Sequence, residues 1–348
     1  MPWLGIRGNG TLSHALSRKF RLVDIGVRAH TDVFRWFNTS SKCGSRAPIV
    51  QPSPANIAQP AAIGDGWEVT SLEAAGMDRR PIEAMTAEIR RYSDWNIHAV
   101  LIEREGRLVY EEYFAGEDQE WGQNLGPVVF TRDTKHDLRS ITKSVTSALV
   151  GITLASGKIR SLDQLLLDFF PEHAAASGRR EHPRISLRHA LMMSAGLDWN
   201  EDLPYTDPRN DENVMTLSED PMGYVLTRPG VAEPGAVWRY NGGLPQVLAT
   251  IVQRATGERL RDYARRVLFA PLGITDFEWL GNLAGVPAAA SGLRLRPRDL
   301  AKFGSLGRPR HRERIAPSCR PLGTATPKLP AGSGGYNDQT LASNRAAP

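Results

Sequence analysis

Cysteine is almost missing from this chain: Cys43 and Cys319 are its only two in 348 residues, which excludes a disulfide scaffold. Long apolar runs are missing too. None reaches transmembrane length, and none follows the first charges as the core of a signal peptide would, so no membrane span is expected and the chain is assigned to the cytoplasm. The eight histidines form no His-Glu-x-x-His pair and the two cysteines lie far apart, so neither a metal nor another cofactor is expected. A glycine-rich phosphate loop and a Gly-x-Ser-x-Gly elbow are also absent, which argues against a nucleotide-binding fold and an α/β-hydrolase.

What is present suffices for a core: 41% of residues are hydrophobic and 23% charged, unlike a wholly disordered chain. The net charge of +5 invites a nucleic-acid reading, so its distribution matters. Residues 1–50 hold eight Lys/Arg against two acids, residues 308–348 hold seven against two, and residues 51–307 hold 28 against 34. The body is acidic and both ends are basic. No interleaving of aromatic and basic residues occurs in the body, so no nucleic-acid partner is expected. Residues 1–60 carry scattered aromatics and arginines and close on Pro48, Pro52, Pro54 and Pro60. They read as a disordered leader, with a basic arm or an organelle presequence as alternatives. Residues 307–348 read as an irregular basic tail.

The domain between them, 61–306, is mixed. Ile97–Arg104 and Arg107–Phe114 are β-prone runs joined by Glu105-Gly106, a turn pair that predicts a hairpin over 97–114. Arg80–Tyr92 has helical spacing with Pro81 in its first turn. From Ser140 to about residue 280 helical signals dominate. Ile141, Val145, Ala148, Leu149 and Ile152 share one helical face, and Gly157 stops it. Ser186 caps a helix running through Met193, followed by helices at Leu248–Ala255, Arg259–Phe269 and Pro297–Phe303. One hairpin followed by a helical block, without alternating βαβ units, predicts an α+β fold.

Within that block stands Ser140-Ile141-Thr142-Lys143. At the start of a helix, Ser and Lys three residues apart share a face. A serine hydroxyl is a weak nucleophile until a base takes its proton, and a lysine serves only when its pKa is lowered. With 22 Ser and seven Lys in the chain, chance alone gives roughly 0.4 such tetrapeptides, so the pair is not diagnostic by itself.

Its context is. His136–Ser147 resembles the active-site helix of serine β-lactamases and penicillin-binding-protein-like hydrolases, with class C β-lactamase-like esterases and 6-aminohexanoate-dimer hydrolases as the subgroup it most resembles. Further similar segments follow in the family's order: Ser161-Leu162-Asp163 to Phe169-Phe170-Pro171-Glu172, then Ile185–Leu197, then Pro234–Gly243 with Tyr240-Asn241-Gly242 as the second motif. Pro271-Leu272-Gly273-Ile274 and Ser291–Gly304 complete the resemblance, which covers about 64–306. It implies a β-lactamase/transpeptidase-like fold, an antiparallel sheet packed with helices plus a helical subdomain, and a small ester, amide or β-lactam substrate. It also implies that Ser140 is the acylated nucleophile and Lys143 its base. Tyr240 would be the phenol that relays a proton to the leaving group, and the Ser140 backbone N–H would supply half of an oxyanion hole. Asn241 and Gly242 would be the substrate-binding positions, with Asn241 standing in for the side chain that Gly242 lacks if the turn is re-registered.

Two departures stand out. Position 242 is glycine where the family has Asn or Ser, which removes a substrate-orienting side chain. A third motif, Lys-Thr-Gly or an equivalent on a late strand, has no counterpart: Lys42-Cys43-Gly44 comes too early and Lys302-Phe303-Gly304 falls in a helical stretch. Similarity fades after Gly304, where the basic tail begins, so the chain is expected to be truncated or frame-shifted beyond Leu306, with its sheet incomplete. The resulting expectation is a serine hydrolase of low or no activity. The alternative is a non-catalytic relative that binds an acyl or peptidoglycan-like ligand.

Overall fold

The computed structural model describes residues 57–173, 184–281 and 286–307. The expected leader at 1–60, except its last four residues, and the tail at 307–348, except its first, lie outside the described residues. The described part is α+β, as expected.

Strands β1 (Glu68–Val69), β2 (Ala99–Arg104) and β3 (Arg107–Tyr113) form a sheet in the order β1-β3-β2. β2 and β3 are the expected hairpin. Glu105 and Gly106 both have positive φ, 53° and 85°, the two-residue turn whose twist matches that of paired strands. Arg104 pairs with Arg107, and the register shifts between Ile102 and Glu103, leaving Val109 as a bulge. Helix α1 (Arg79–Arg91) lies one residue N-terminal to its expected span, because the Asp78 carboxylate accepts from the Arg80 N–H at 3.1 Å and caps it. Its apolar face, Ile82 and Met85, packs on Ile102, Val109 and Tyr110 of the hairpin.

The reading of one hairpin followed by a helical block needs correction. A second hairpin, β4 (Ala115–Glu120) and β5 (Gln123–Val129), follows directly. Its first strand reads Ala-Gly-Glu-Asp-Gln-Glu, which offers no apolar alternation to recognise. A third sheet has the order β6-β8-β7, built from β6 (His136–Asp137), β7 (Glu278–Trp279) and β8 (Leu293–Leu295). Its strands have two or three residues and meet only through folding.

The helical part comprises α2 (Thr142–Ala155), α3 (Leu187–Leu191), α4 (Asp211–Leu217), α5 (Pro221–Leu226), α6 (Gly243–Thr256), α7 (Leu260–Ala264) and α8 (Pro297–Gly304). α3 has the predicted cap, Ser186, in a reciprocal box with His189. It stops short of Met193, whose φ of 55° leaves the helical region. α6 begins five residues earlier than expected. α2 and α6 pack together in the main core through Val145, Leu149, Val247 and Ile251, all fully buried. Each such side chain contributes about 1.5–3 kcal/mol on leaving water.

Arg298 on α8 ties this core to the first sheet. Its guanidinium donates to both Glu111 carboxylate oxygens (2.7 and 2.5 Å), to Asp65 Oδ2 (3.1 Å) and to the Ala61 carbonyl (2.9 Å). The Arg298 side chain is 3% exposed and that of Glu111 9%. Arg298→Met should therefore leave a buried carboxylate unpaired and cost about 3–5 kcal/mol in a urea titration. A loss under about 1 kcal/mol, typical of a surface pair, would contradict this account.

Candidate functional site

Ser140 lies in a 3₁₀ turn, Arg139–Ile141, that leads into α2. Arg139, the residue before it, has φ 47°, a left-handed conformation that costs a non-glycine residue on the order of 1–2 kcal/mol. An ion pair from Arg139 Nη2 to Asp137 Oδ2 (3.2 Å) helps hold it. The chain around residues 287–293 is laid along the start of α2. Leu138 N–H donates to Leu293 O (2.8 Å), Leu293 N–H to Thr142 Oγ1 (3.2 Å) and Thr146 Oγ1 to Ala289 O (3.0 Å). Gln246 of α6 clamps the same segment, donating to Pro287 O (3.1 Å) and accepting from Ala289 N–H (2.9 Å).

Lys143, three residues on from Ser140, donates to Ser140 Oγ at 3.2 Å and to Ala290 O at 3.1 Å. Tyr240 arrives from the loop before α6. Arg239 N–H donates to Met193 O (2.8 Å) and Asn241 N–H to Met193 Sδ (3.3 Å), so the turn after α3 fixes the second motif. Gly196 lets the chain at Ala232 pass close to the same turn: its φ is 74°, and a Cβ there would stand 2.1 Å from Ala232 O. The outcome is a hydrogen bond of 2.7 Å between Ser140 Oγ and Tyr240 Oη, with Lys143 Nζ 5.0 Å from the Tyr240 ring centroid. All three side chains are partly exposed.

Asn241 and Gly242 are placed otherwise than the sequence reading supposed. Asn241 is buried, and its Oδ1 accepts from Gly243 N–H (2.8 Å) and Leu244 N–H (3.1 Å), capping α6. Its side chain is used by the fold and does not replace the one missing at 242. The Gly242 N–H donates to Glu201 Oε2 at 2.5 Å. A Cβ on Gly242 would stand 2.6 Å from Glu212 Oε2 and 2.9 Å from Glu201 Oε2. Lys302-Phe303-Gly304 lies in α8, where Lys302 is buried and pairs with Asp299 at 2.9 Å.

Glu201 and Glu212 were not singled out from the sequence, where they are acids in a polar loop and a first helical turn. Glu201 accepts from Trp199 Nε1 (2.8 Å) and Tyr205 Oη (2.7 Å), and Ser291 Oγ donates to Glu212 Oε1 (3.4 Å). The two carboxyls lie side by side, each Oε2 within 3 Å of the point where a Gly242 Cβ would stand. Burial pushes the Glu212 pKa up, and although Lys143 opposes this, Glu201 adds to it, so that it reaches about 7. Glu201 goes the other way. Burial would raise it, but its contact with Glu212, the Lys143 charge and its other donors hold it down.

These acids reverse an expectation for Lys143. Burial works to lower its pKa, as a lysine base requires, but Glu212, Tyr240 and Glu201 outweigh burial and raise it. Lys143 is therefore a cation at neutral pH. The cluster can polarise a hydroxyl, move a proton between Ser140 and Tyr240, and stabilise negative charge on either oxygen beside the Lys143 ammonium.

A model of the family described as Beta-lactamase matches residues 90–338. That span runs past residue 306, where the resemblance was expected to end. Esterase EstB of Burkholderia gladioli is 24% identical over 221 residues, 59% of this chain and 52% of that protein. The 6-aminohexanoate-dimer hydrolase of Paenarthrobacter ureafaciens is 27% identical over 220 residues, 60% of this chain and 51% of that protein. The chain thus spans about half the length of these relatives. Among solved structures, EstCE1, described as a hydrolase with promiscuous acyltransferase activity, is similar with a TM-score of 0.53 and 16% identity, covering 66% of this chain and 71% of that one.

Proposed function

Because the chain belongs to the Beta-lactamase family, we propose that it is a serine hydrolase that cleaves ester or amide bonds of small molecules through an acyl-enzyme at Ser140. Residues 61–306 are taken as the domain that carries this activity. The observation that carries the reading is the contact of Ser140 Oγ with both Lys143 Nζ and Tyr240 Oη, groups from two separate parts of the chain.

In the proposed reaction Tyr240 takes the Ser140 proton as Oγ bonds to the substrate carbonyl carbon. The raised Lys143 pKa supports this choice of base. A cationic lysine cannot accept a proton, but it can stabilise the phenolate that must form before attack. The Ser140 N–H would serve the developing oxyanion. As the tetrahedral intermediate collapses, Tyr240 gives the proton to the departing alcohol or amine. Water then repeats the sequence in reverse, with Tyr240 taking its proton and returning it to Ser140. The relatives' names, an esterase and an amide hydrolase, support ester and amide substrates.

The test is covalent. A fluorophosphonate probe on folded protein should modify the peptide bearing Ser140, seen by mass spectrometry, and p-nitrophenyl esters of short acids should turn over. Nitrocefin in the same panel separates an esterase from a β-lactamase. Folded protein that takes no label and hydrolyses nothing would instead favour binding without turnover.

A further inference from the structure

Arg139, directly before Ser140, has a φ of 47°. The residues on either side are tied by main-chain bonds: Leu138 N–H donates to Leu293 O (2.8 Å), and Ile141 N–H closes the turn onto Leu138 O (3.0 Å). A left-handed arginine relaxes to the right-handed or extended region unless its surroundings over-determine it. That rotation would carry Ser140 Oγ away from Lys143 and Tyr240.

The surroundings of Arg139 centre on one carboxylate. The Asp137 side chain, on β6, is 8% exposed. Its Oδ2 pairs with Arg139 Nη2 (3.2 Å) and accepts from the Trp121 N–H (2.8 Å), while its Oδ1 faces Arg294 Nε at 3.0 Å. Trp121 and Gly122 are the two-residue turn of the β4–β5 hairpin, with φ of 46° and 87°. That turn lies against the same arginine. Arg139 Nη2 stands 4.0 Å from the Cβ position of Gly122 and donates to Gln119 Oε1 at 3.5 Å. Arg294 completes the frame, its guanidinium carbon 5.5 Å from the Trp121 ring centroid. It is held in turn by Glu120, by Glu278 Oε2 (3.0 Å) and by the Lys135 carbonyl (3.2 Å).

We propose, resting on the role given above to Ser140, that Asp137 and Arg139 form a positioning clamp: the ion pair fixes Arg139 in its left-handed conformation against the β4–β5 turn and so sets Ser140 Oγ between Lys143 and Tyr240. Neither side chain touches the reacting atoms, and both act through the backbone of residue 139. At that position the backbone conformation matters and the guanidinium serves only to hold it. A residue that adopts positive φ freely has no need of the clamp, and glycine is that residue.

The test compares Arg139→Ala, Arg139→Gly, Asp137→Asn and the double variant Asp137→Asn with Arg139→Gly. The readouts are the rate of fluorophosphonate labelling at Ser140 and the separate kcat and KM on a p-nitrophenyl ester, with folding checked by circular dichroism. Arg139→Ala loses the clamp but keeps a Cβ, so labelling and kcat should fall about tenfold or more with KM within about twofold. Arg139→Gly should stay within about threefold of the wild type. Asp137→Asn keeps an acceptor for the Trp121 N–H but not the charge. It should lose about tenfold, and adding Arg139→Gly should recover most of that loss. Arg139 is 45% exposed, so its two variants fold and decide the matter even if Asp137→Asn does not. An Arg139→Ala protein as fast as the wild type, equal losses in Arg139→Ala and Arg139→Gly, or no recovery in a folded double variant overturns the proposal. Any of these with a labelled wild type sinks only the clamp, whereas an unlabelled wild type sinks the role of Ser140 with it.

Discussion

Replacing Ser140 by alanine is expected to lower kcat/KM on an activated ester by about 10⁴-fold or more, with no loss of folding. The size follows from the contacts. Ser140 Oγ is the atom on which Lys143 and Tyr240 converge, and under the proposed mechanism no acyl-enzyme forms without it. Lys143→Ala should cost a similar factor, because the ammonium that stabilises the Tyr240 phenolate is lost. Tyr240→Phe removes the proton carrier and should cost about 10²–10⁴-fold. Residues acting as a unit are not additive, so Ser140→Ala combined with Tyr240→Phe should be no slower than Ser140→Ala alone. Steady-state rates on one p-nitrophenyl ester decide the matter. A Ser140→Ala protein within tenfold of the wild type would remove Ser140 from the chemistry.

The second large effect concerns stability. His98 and His136 are buried beside Phe130: the His98 ring stacks on Phe130 at 3.8 Å, and His136 lies 4.9 Å from Phe130 and 5.3 Å from His98. Burial pushes the His98 pKa down to about 4. Burial, and next the His98 charge, push His136 down to about 3. Both folded-state values lie below the unfolded value near 6.5, so their stabilisation is fully present above about pH 6.5 and is lost progressively as pH falls from there towards 4 and 3. At about 1.36 kcal/mol per unit, the two together should cost on the order of 3–5 kcal/mol between pH 7 and 4.5. The lower end allows for Asp118 and Asp137, whose burial raises their pKa and offsets part of the loss. His136→Phe keeps an aromatic ring in place and removes one titrating group. Its loss over the same range, from urea titrations, should be smaller by about 2–3 kcal/mol. An equal loss in the two proteins would clear the histidines of this role.

Legibility in the sequence tracked distance along the chain. The 97–114 hairpin was readable because Glu105-Gly106 is a local turn between two apolar runs, and the α3 cap because Ser186 and His189 are one turn apart. Helix ends were less so. α6 starts where Asn241 caps it, a role hidden behind the motif to which Asn241 belongs. The β4–β5 hairpin was missed because its strands are too polar to alternate. The β6-β8-β7 sheet was missed because its strands come from three distant segments.

At the candidate site the division is the same. Ser140 and Lys143 are neighbours by helical geometry alone, and any chain that forms α2 brings them together. The charge on Lys143 is not a local property. Coulomb interactions depend on separation in space and on how much water lies between the charges. Glu201 and Glu212 act on Lys143 because the loop before α4 and the first turn of α4 fold against Gly242, the one position where the motif lacks a side chain. Spacing along the chain therefore brings together the serine proposed as nucleophile and its lysine. Folding decided that burial does not lower this lysine's pKa, because packing placed two carboxyls within its field.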